Sequence, residues 1–117
     1  MLLRHSEEEQ LPRYLELVRY SAEGSKAYFK ETAAVRQALA RKAIESIGGK
    51  VESIYFTASG EYHVAMIAEY PDAAVAAALV AMMVSTGAVS KFNRVELISV
   101  SEIDRAYVTL QEAWQGA

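Results

Sequence analysis

The chain has 117 residues, 52% hydrophobic and 23% charged, which is enough for one soluble globular domain that buries a core without cross-links. A formal net charge of −3 and a pI near 5.4 give no general attraction for nucleic acid or anionic membranes. Cysteine is absent, which excludes disulfides, thiolate nucleophiles and cysteine-ligated metals and suits a cytoplasmic protein.

Residues 1–12 read as a mobile N-terminal arm. Met1-Leu2-Leu3-Arg4-His5 runs directly into Ser6-Glu7-Glu8-Glu9, so no continuous apolar segment forms a secretory signal. The acidic run reads as solvated, and His5 as a surface imidazole rather than a metal ligand. From Arg13 to Tyr20 the composition is aromatic and branched with period-2 alternation, which predicts the first strand. Leu15 and Leu17 then share one face, and Tyr14, Glu16, Val18 and Tyr20 the other. Glu16 on that largely apolar face is either exposed or a partnered polar group, which makes it a site candidate.

Ser21-Ala22-Glu23-Gly24 reads as a turn, followed by a helical region to about Ile47 in which Val35, Ala38, Leu39, Ala43 and Ile47 recur at helical spacing. The front part, Ser25 to Thr32, patterns less well and reads as a separate turn. The basic residues of this region, among them Lys26, Lys30, Arg36, Arg41 and Lys42, have acidic neighbours and read as a solvated face. Gly48-Gly49 ends the helix, with one glycine left-handed. Lys50 to Thr57 predicts a second strand, and Ala58-Ser59-Gly60 turns it back into a third, so the two are antiparallel neighbours.

The third strand leads to Pro71-Asp72, where Asp72 is placed to cap a helix over Ala73 to Thr86. That helix has almost no polar face, so burial on more than one side is expected, by the last segment or by another subunit. Its longest apolar run, Ala73 to Val84, is far short of the roughly 18 residues a bilayer requires. Gly87 closes it, a fourth strand is predicted over Arg94 to Val100, and a last helix begins near Ser101-Glu102. Ile103, Ala106, Tyr107, Leu110 and Trp114 form one stripe on that helix, which is expected to dock on its own domain or on a partner subunit.

The order strand, helix, strand, strand, helix, strand, helix predicts an α+β fold. It is the ferredoxin-like βαββαβ plan, a four-stranded antiparallel sheet with both main helices on one face, plus a C-terminal helix. The opposite face is then uncovered and apolar, which predicts sheets packed face to face in a dimeric α+β barrel. Residues 13–100 form the domain and 101–117 the tail helix.

The segments Tyr14 to Ser21 with Gly24, Ile47-Gly48-Gly49-Lys50-Val51, Tyr55-Phe56-Thr57, and Gly60-Glu61-Tyr62-His63 running into Ile67-Ala68-Glu69 and Pro71-Asp72 resemble the GYD-domain family of small bacterial and archaeal proteins. The resemblance covers roughly residues 13–100 and implies the dimeric ferredoxin-like fold, with no established activity. Gly60 and Tyr62 match the family signature. The signature's Asp, however, is replaced by His63, a group that titrates near neutrality.

No Walker loop, dinucleotide fingerprint, His-Glu-x-x-His or Gly-x-Ser-x-Gly element is present, and no cofactor is indicated. The residues with chemical content are Glu16, Tyr55, Tyr62 and His63, which could line a ligand cleft with His63 as acid or base, although a lone imidazole reads first as a hydrogen-bonded strand histidine near a sheet end and the two tyrosines as packing in the sheet or at a subunit contact. A metal shared by His63 and Glu69 is excluded, because six residues of strand separate them by roughly 20 Å. Two readings follow. The preferred one is a non-catalytic oligomeric protein that binds a small ligand or a partner; the alternative, by fold analogy, is a cofactor-free monooxygenase or isomerase.

Overall fold

The computed structural model describes residues 11–58 and 60–116. Residues 1–10 of the expected arm and Ser59 of the hairpin turn lie outside the described residues. The elements are β1 (Arg13–Tyr20), α1 (Ala22–Phe29), α2 (Ala33–Ser46), β2 (Lys50–Phe56), β3 (Val64–Glu69), α3 (Ala73–Ser85), β4 (Val89–Glu96) and α4 (Val100–Gly116). All strand pairs are antiparallel in the order β2-β3-β1-β4, so the fold is ferredoxin-like α+β, with the first and third strands in the middle.

The helix starts follow the local chemistry. Ser21, Thr32 and Asp72 each accept the backbone N–H three residues on, at 3.0, 3.2 and 2.8 Å, and so occupy orphan donors of the first turn. The Ser21–Gly24 segment, expected as a turn, is thus the first turn of α1, and the Ser25–Thr32 stretch is mostly helix. Gly24 hides this in the sequence, since glycine weakens a helix, but a Cβ there would lie 2.2 Å from the Ala88 carbonyl oxygen. Gly48 has φ +87°, the left-handed residue expected after the second helical region.

The fourth strand lies earlier than expected, at Val89–Glu96. Leu97 still donates its N–H to the Arg13 carbonyl at 2.8 Å, and the chain then leaves the sheet. A capping box takes over at Ser99. Its hydroxyl accepts the Glu102 N–H at 3.1 Å while the Glu102 carboxylate accepts back from Ser99, which starts α4 ahead of the expected Ser101.

The core lies on one face of the sheet. Tyr14, Val51, Met66 and Ala68 project from the strands and, with Tyr70 just past β3, pack on Ile44 of α2 and Ala76 of α3, with Ile54 and Leu79 at its margin. Only that side of α3 is covered: Met82 and Val84 stay exposed, so no segment among the described residues buries the helix on its second side. Across the sheet, Leu15, Leu17, Ala65 and Ile67 share the opposite face and are only partly buried. The last helix, α4, contains no buried residue, and the molecule extends to 60 × 31 × 24 Å.

Candidate functional site

Cross-strand register assigns the four sequence candidates to different places. Glu16 stands opposite Met66 and Arg94, on the helix-covered face; Tyr55 stands opposite Ala65, whose other neighbour is Leu17, on the open face. Partners directly across an antiparallel pair project to the same side, so Glu16 and Tyr55 are separated by the thickness of the sheet. Tyr62 and His63 lie at the β2–β3 connection. The structure therefore does not gather the four into one cleft.

Glu16 is 0% exposed and its carboxylate is fully engaged. One oxygen, Oε1, accepts from the Tyr70 hydroxyl at 2.6 Å; the other, Oε2, accepts from Arg94 Nε at 2.7 Å and also from Arg94 Nη2. The Arg94 guanidinium lies 4.9 Å from the Tyr14 ring centre, 5.2 Å from that of Phe92 and 5.5 Å from that of Tyr70, so three aromatic rings surround it. Burial, reinforced by the bond to the Glu16 carboxylate, pushes the Tyr70 hydroxyl well above its ordinary pKa and keeps it a donor. A carboxylate with its lone pairs engaged in this way has little left to take a substrate proton. Arg94 and Tyr70 were missed from the sequence. The signal that could have found them is the need of a carboxylate on an apolar strand face for a cation, with Arg94 in the one strand left to pair with β1.

His63 is tied into the backbone. Its Nδ1 accepts the Tyr20 N–H at 3.0 Å, its N–H donates to the Val18 carbonyl at 2.8 Å, and its carbonyl accepts from Thr57 N–H at 3.0 Å. The imidazole also stacks on the Tyr20 ring, with centroids 5.8 Å apart and planes 13° from parallel. Nδ1 is thus placed as an acceptor, which leaves Nε2 as the ring nitrogen available to donate. The aspartate that the resembled signature has here would bring a carboxylate oxygen, also an acceptor, to the same N–H. The exchange of residue type thus leaves the acceptor in place.

Tyr20 in turn lies 4.7 Å from Tyr28, and Tyr28 meets Phe56 edge-on at 5.7 Å, with Arg36 5.1 Å over the Tyr28 ring. Burial and the neighbouring Tyr28 push the Tyr20 hydroxyl well above its ordinary pKa. This aromatic row closes the sheet end beside His63. Tyr62 belongs to a different set: Lys91 of β4 sits 5.1 Å over its ring and pairs with Glu61, while Arg19 donates to the Gly60 and Glu61 carbonyls. Gly60 and Tyr62 are thereby fixed at the open-face rim. Among the described residues no cluster of three or more His, Asp or Glu side chains could hold a metal ion. No helix among them is long and apolar enough to cross a membrane.

A family model described as GYD domain matches residues 14–107, most of the chain. No curated protein and no solved structure matches the chain.

Proposed function

We propose that this chain, which belongs to the GYD domain family, works as a self-associating binding module of the cytoplasm rather than as an enzyme. Two copies close their open sheet faces against each other as a dimeric α+β barrel, and the rim of Tyr55, Tyr62 and Lys91 admits a small ligand between them. The observation that carries this reading is the open face itself. Leu15, Leu17, Ala65 and Ile67 lie side by side on the two central strands, flanked by Val95 and Tyr55, and among the described residues no helix with buried residues packs over them. An apolar patch on central strands is costly in water and marks an interface.

The catalytic alternative has less to stand on. Glu16 spends its oxygens on Tyr70 and Arg94, and His63 spends Nδ1 on a backbone N–H, so neither is a free base. Sedimentation decides the first half of the proposal: association at micromolar concentration is expected, and a single 12.9 kDa species would overturn it. A metabolite panel decides the second half. Turnover abolished by His63→Ala but retained in a surface control would replace the binding module by an enzyme.

A further inference from the structure

The strand order leaves the sheet with two edges, β2 and β4. An edge strand presents unpaired N–H and C=O groups, which accept a strand from another chain unless something blunts them. β2 is blunted twice: a bulge between Val51 and Ser53 breaks its ladder to β3, and the Val51 carbonyl accepts from Arg41 Nη1 of α2 at 2.9 Å. β4 has no such bulge, for its register against β1 is unbroken from Lys91 to Glu96. Leu97 donates to the Arg13 carbonyl, and the alternation of an antiparallel ladder then turns the backbone groups of Lys91, Asn93 and Val95 toward β1. Those of Phe92, Arg94 and Glu96 point to the free side. Charge does not protect this edge either. Lys91 is drawn over the Tyr62 ring to Glu61, and Arg94 is drawn beneath the helices to Glu16.

At the middle of the outward row the Arg94 N–H is already taken, since it donates to Oδ1 of Asn93 at 2.9 Å. Asn93 stands opposite Leu17, on the open face, so this bond turns its carboxamide from that face onto the free side of the strand. We infer that Asn93 guards the β4 edge against strand addition by a second copy of this chain. An incoming strand must bring a carbonyl to the Arg94 N–H, where it meets the carboxamide. To bond there it has to displace Oδ1, so the exchange gains no net hydrogen bond at the centre of the new ladder. The row of outward groups on β4 is self-complementary under a two-fold axis, so the strand to be refused is the β4 of another copy. One side chain thus does at β4 what a bulge and Arg41 do at β2. The guard is independent of the sheet-face proposal, which decides only how far assembly runs once the guard is gone.

The test uses the full chain and sedimentation. Asn93→Ala removes the carboxamide. Glu96→Pro deletes a neighbouring outward N–H without touching the ladder to β1, a place where an edge strand tolerates proline. In a Leu17→Lys background, where the sheet-face contact is broken, adding Asn93→Ala is expected to tighten self-association at least tenfold and to stop at dimers, because β2 remains blunt. In the otherwise unchanged chain the same substitution adds a second contact to the first and is expected to give open-ended rows of copies. Adding Glu96→Pro is expected to reverse both effects. Equal association with and without Asn93→Ala overturns the inference. So does new association that Glu96→Pro leaves in place, which would assign it to unfolding or to another surface. Dimers of Asn93→Ala from a wild-type chain that sediments as a monomer support the guard while removing the sheet-face reading.

Discussion

On the face of the sheet that carries α2 and α3, a carboxylate and a guanidinium share the interior with Tyr14, Val51, Met66 and Tyr70. On the other face Leu15, Leu17, Ala65 and Ile67 meet no such layer. Polarity at the middle of the sheet is thus inverted relative to the simplest expectation: the buried side holds the Glu16–Arg94 pair, while the open side holds aliphatic groups there and keeps its charges, Arg13 with Glu69 and Lys91 with Glu61, toward the strand ends. The covered face is complete within one chain because every donor around Glu16 has been supplied. The open face carries no comparable layer among the described residues, and it is there that the proposed dimer would supply one. Self-sufficiency and incompleteness are therefore divided between two sides of strands only one residue thick.

Breaking the covered face should have the largest effect. Arg94→Met leaves Glu16 as an unpaired buried charge and is expected to cost about 3–5 kcal/mol in urea unfolding, whereas the triple replacement Glu16→Leu, Arg94→Met, Tyr70→Phe should recover most of it. A triple variant no more stable than the single one would mean that the charges are not what the site needs satisfied. On the open face, Leu17→Lys should leave the unfolding of the monomer little changed yet weaken association at least tenfold by sedimentation, a loss of about 1.4 kcal/mol or more. Unchanged association would remove that face from the interface.

A third test falls at the strand end that both faces share. His63→Ala removes the acceptor of the Tyr20 N–H and is expected to cost about 1–3 kcal/mol, while His63→Asp should retain most of that stability. Equal losses in the two variants would show that the imidazole ring, not its acceptor nitrogen, is what matters. Of comparable size, Tyr70→Phe alone deletes one of the three donors to Glu16 and should cost about 1.5–3 kcal/mol, since the bond is to a charged group. It tests whether the carboxylate needs all of its donors or only the guanidinium.

Much of this was legible from residues alone. A period-2 run located β1, strand composition bounded by turn residues located β2 and β3, Asp72 marked the start of α3, and Gly48-Gly49 closed α2, because each signal is local. The family was legible too, through Gly60, Tyr62 and the segments around them. What escaped depended on distance along the chain. Glu16 could be flagged, but its partner Arg94 is fixed by the β1–β4 register across 78 residues, and no local pattern carries that register. The fourth strand was expected too late because Leu97-Ile98 and Val100 look more strand-like than Ser90-Lys91-Phe92-Asn93, yet the Ser99–Glu102 capping box ends the extended chain there. The four candidates for one cleft fell apart for a related reason: parity along a strand decides the face, and Glu16 and Tyr55 have opposite parity through β3.

The pairing of β1 with β4 also orders events in time. Glu16 leaves the ribosome 78 residues before the arginine that neutralises it, an interval of about 4–16 s at the usual ~5–20 residues per second. During that interval β1 has no fourth strand beside it, and its carboxylate faces a half-assembled interior that cannot yet accept a charge. The sheet therefore cannot close around Glu16 until β4 has been synthesised, so the last strand to be made sets the moment at which the first becomes buried.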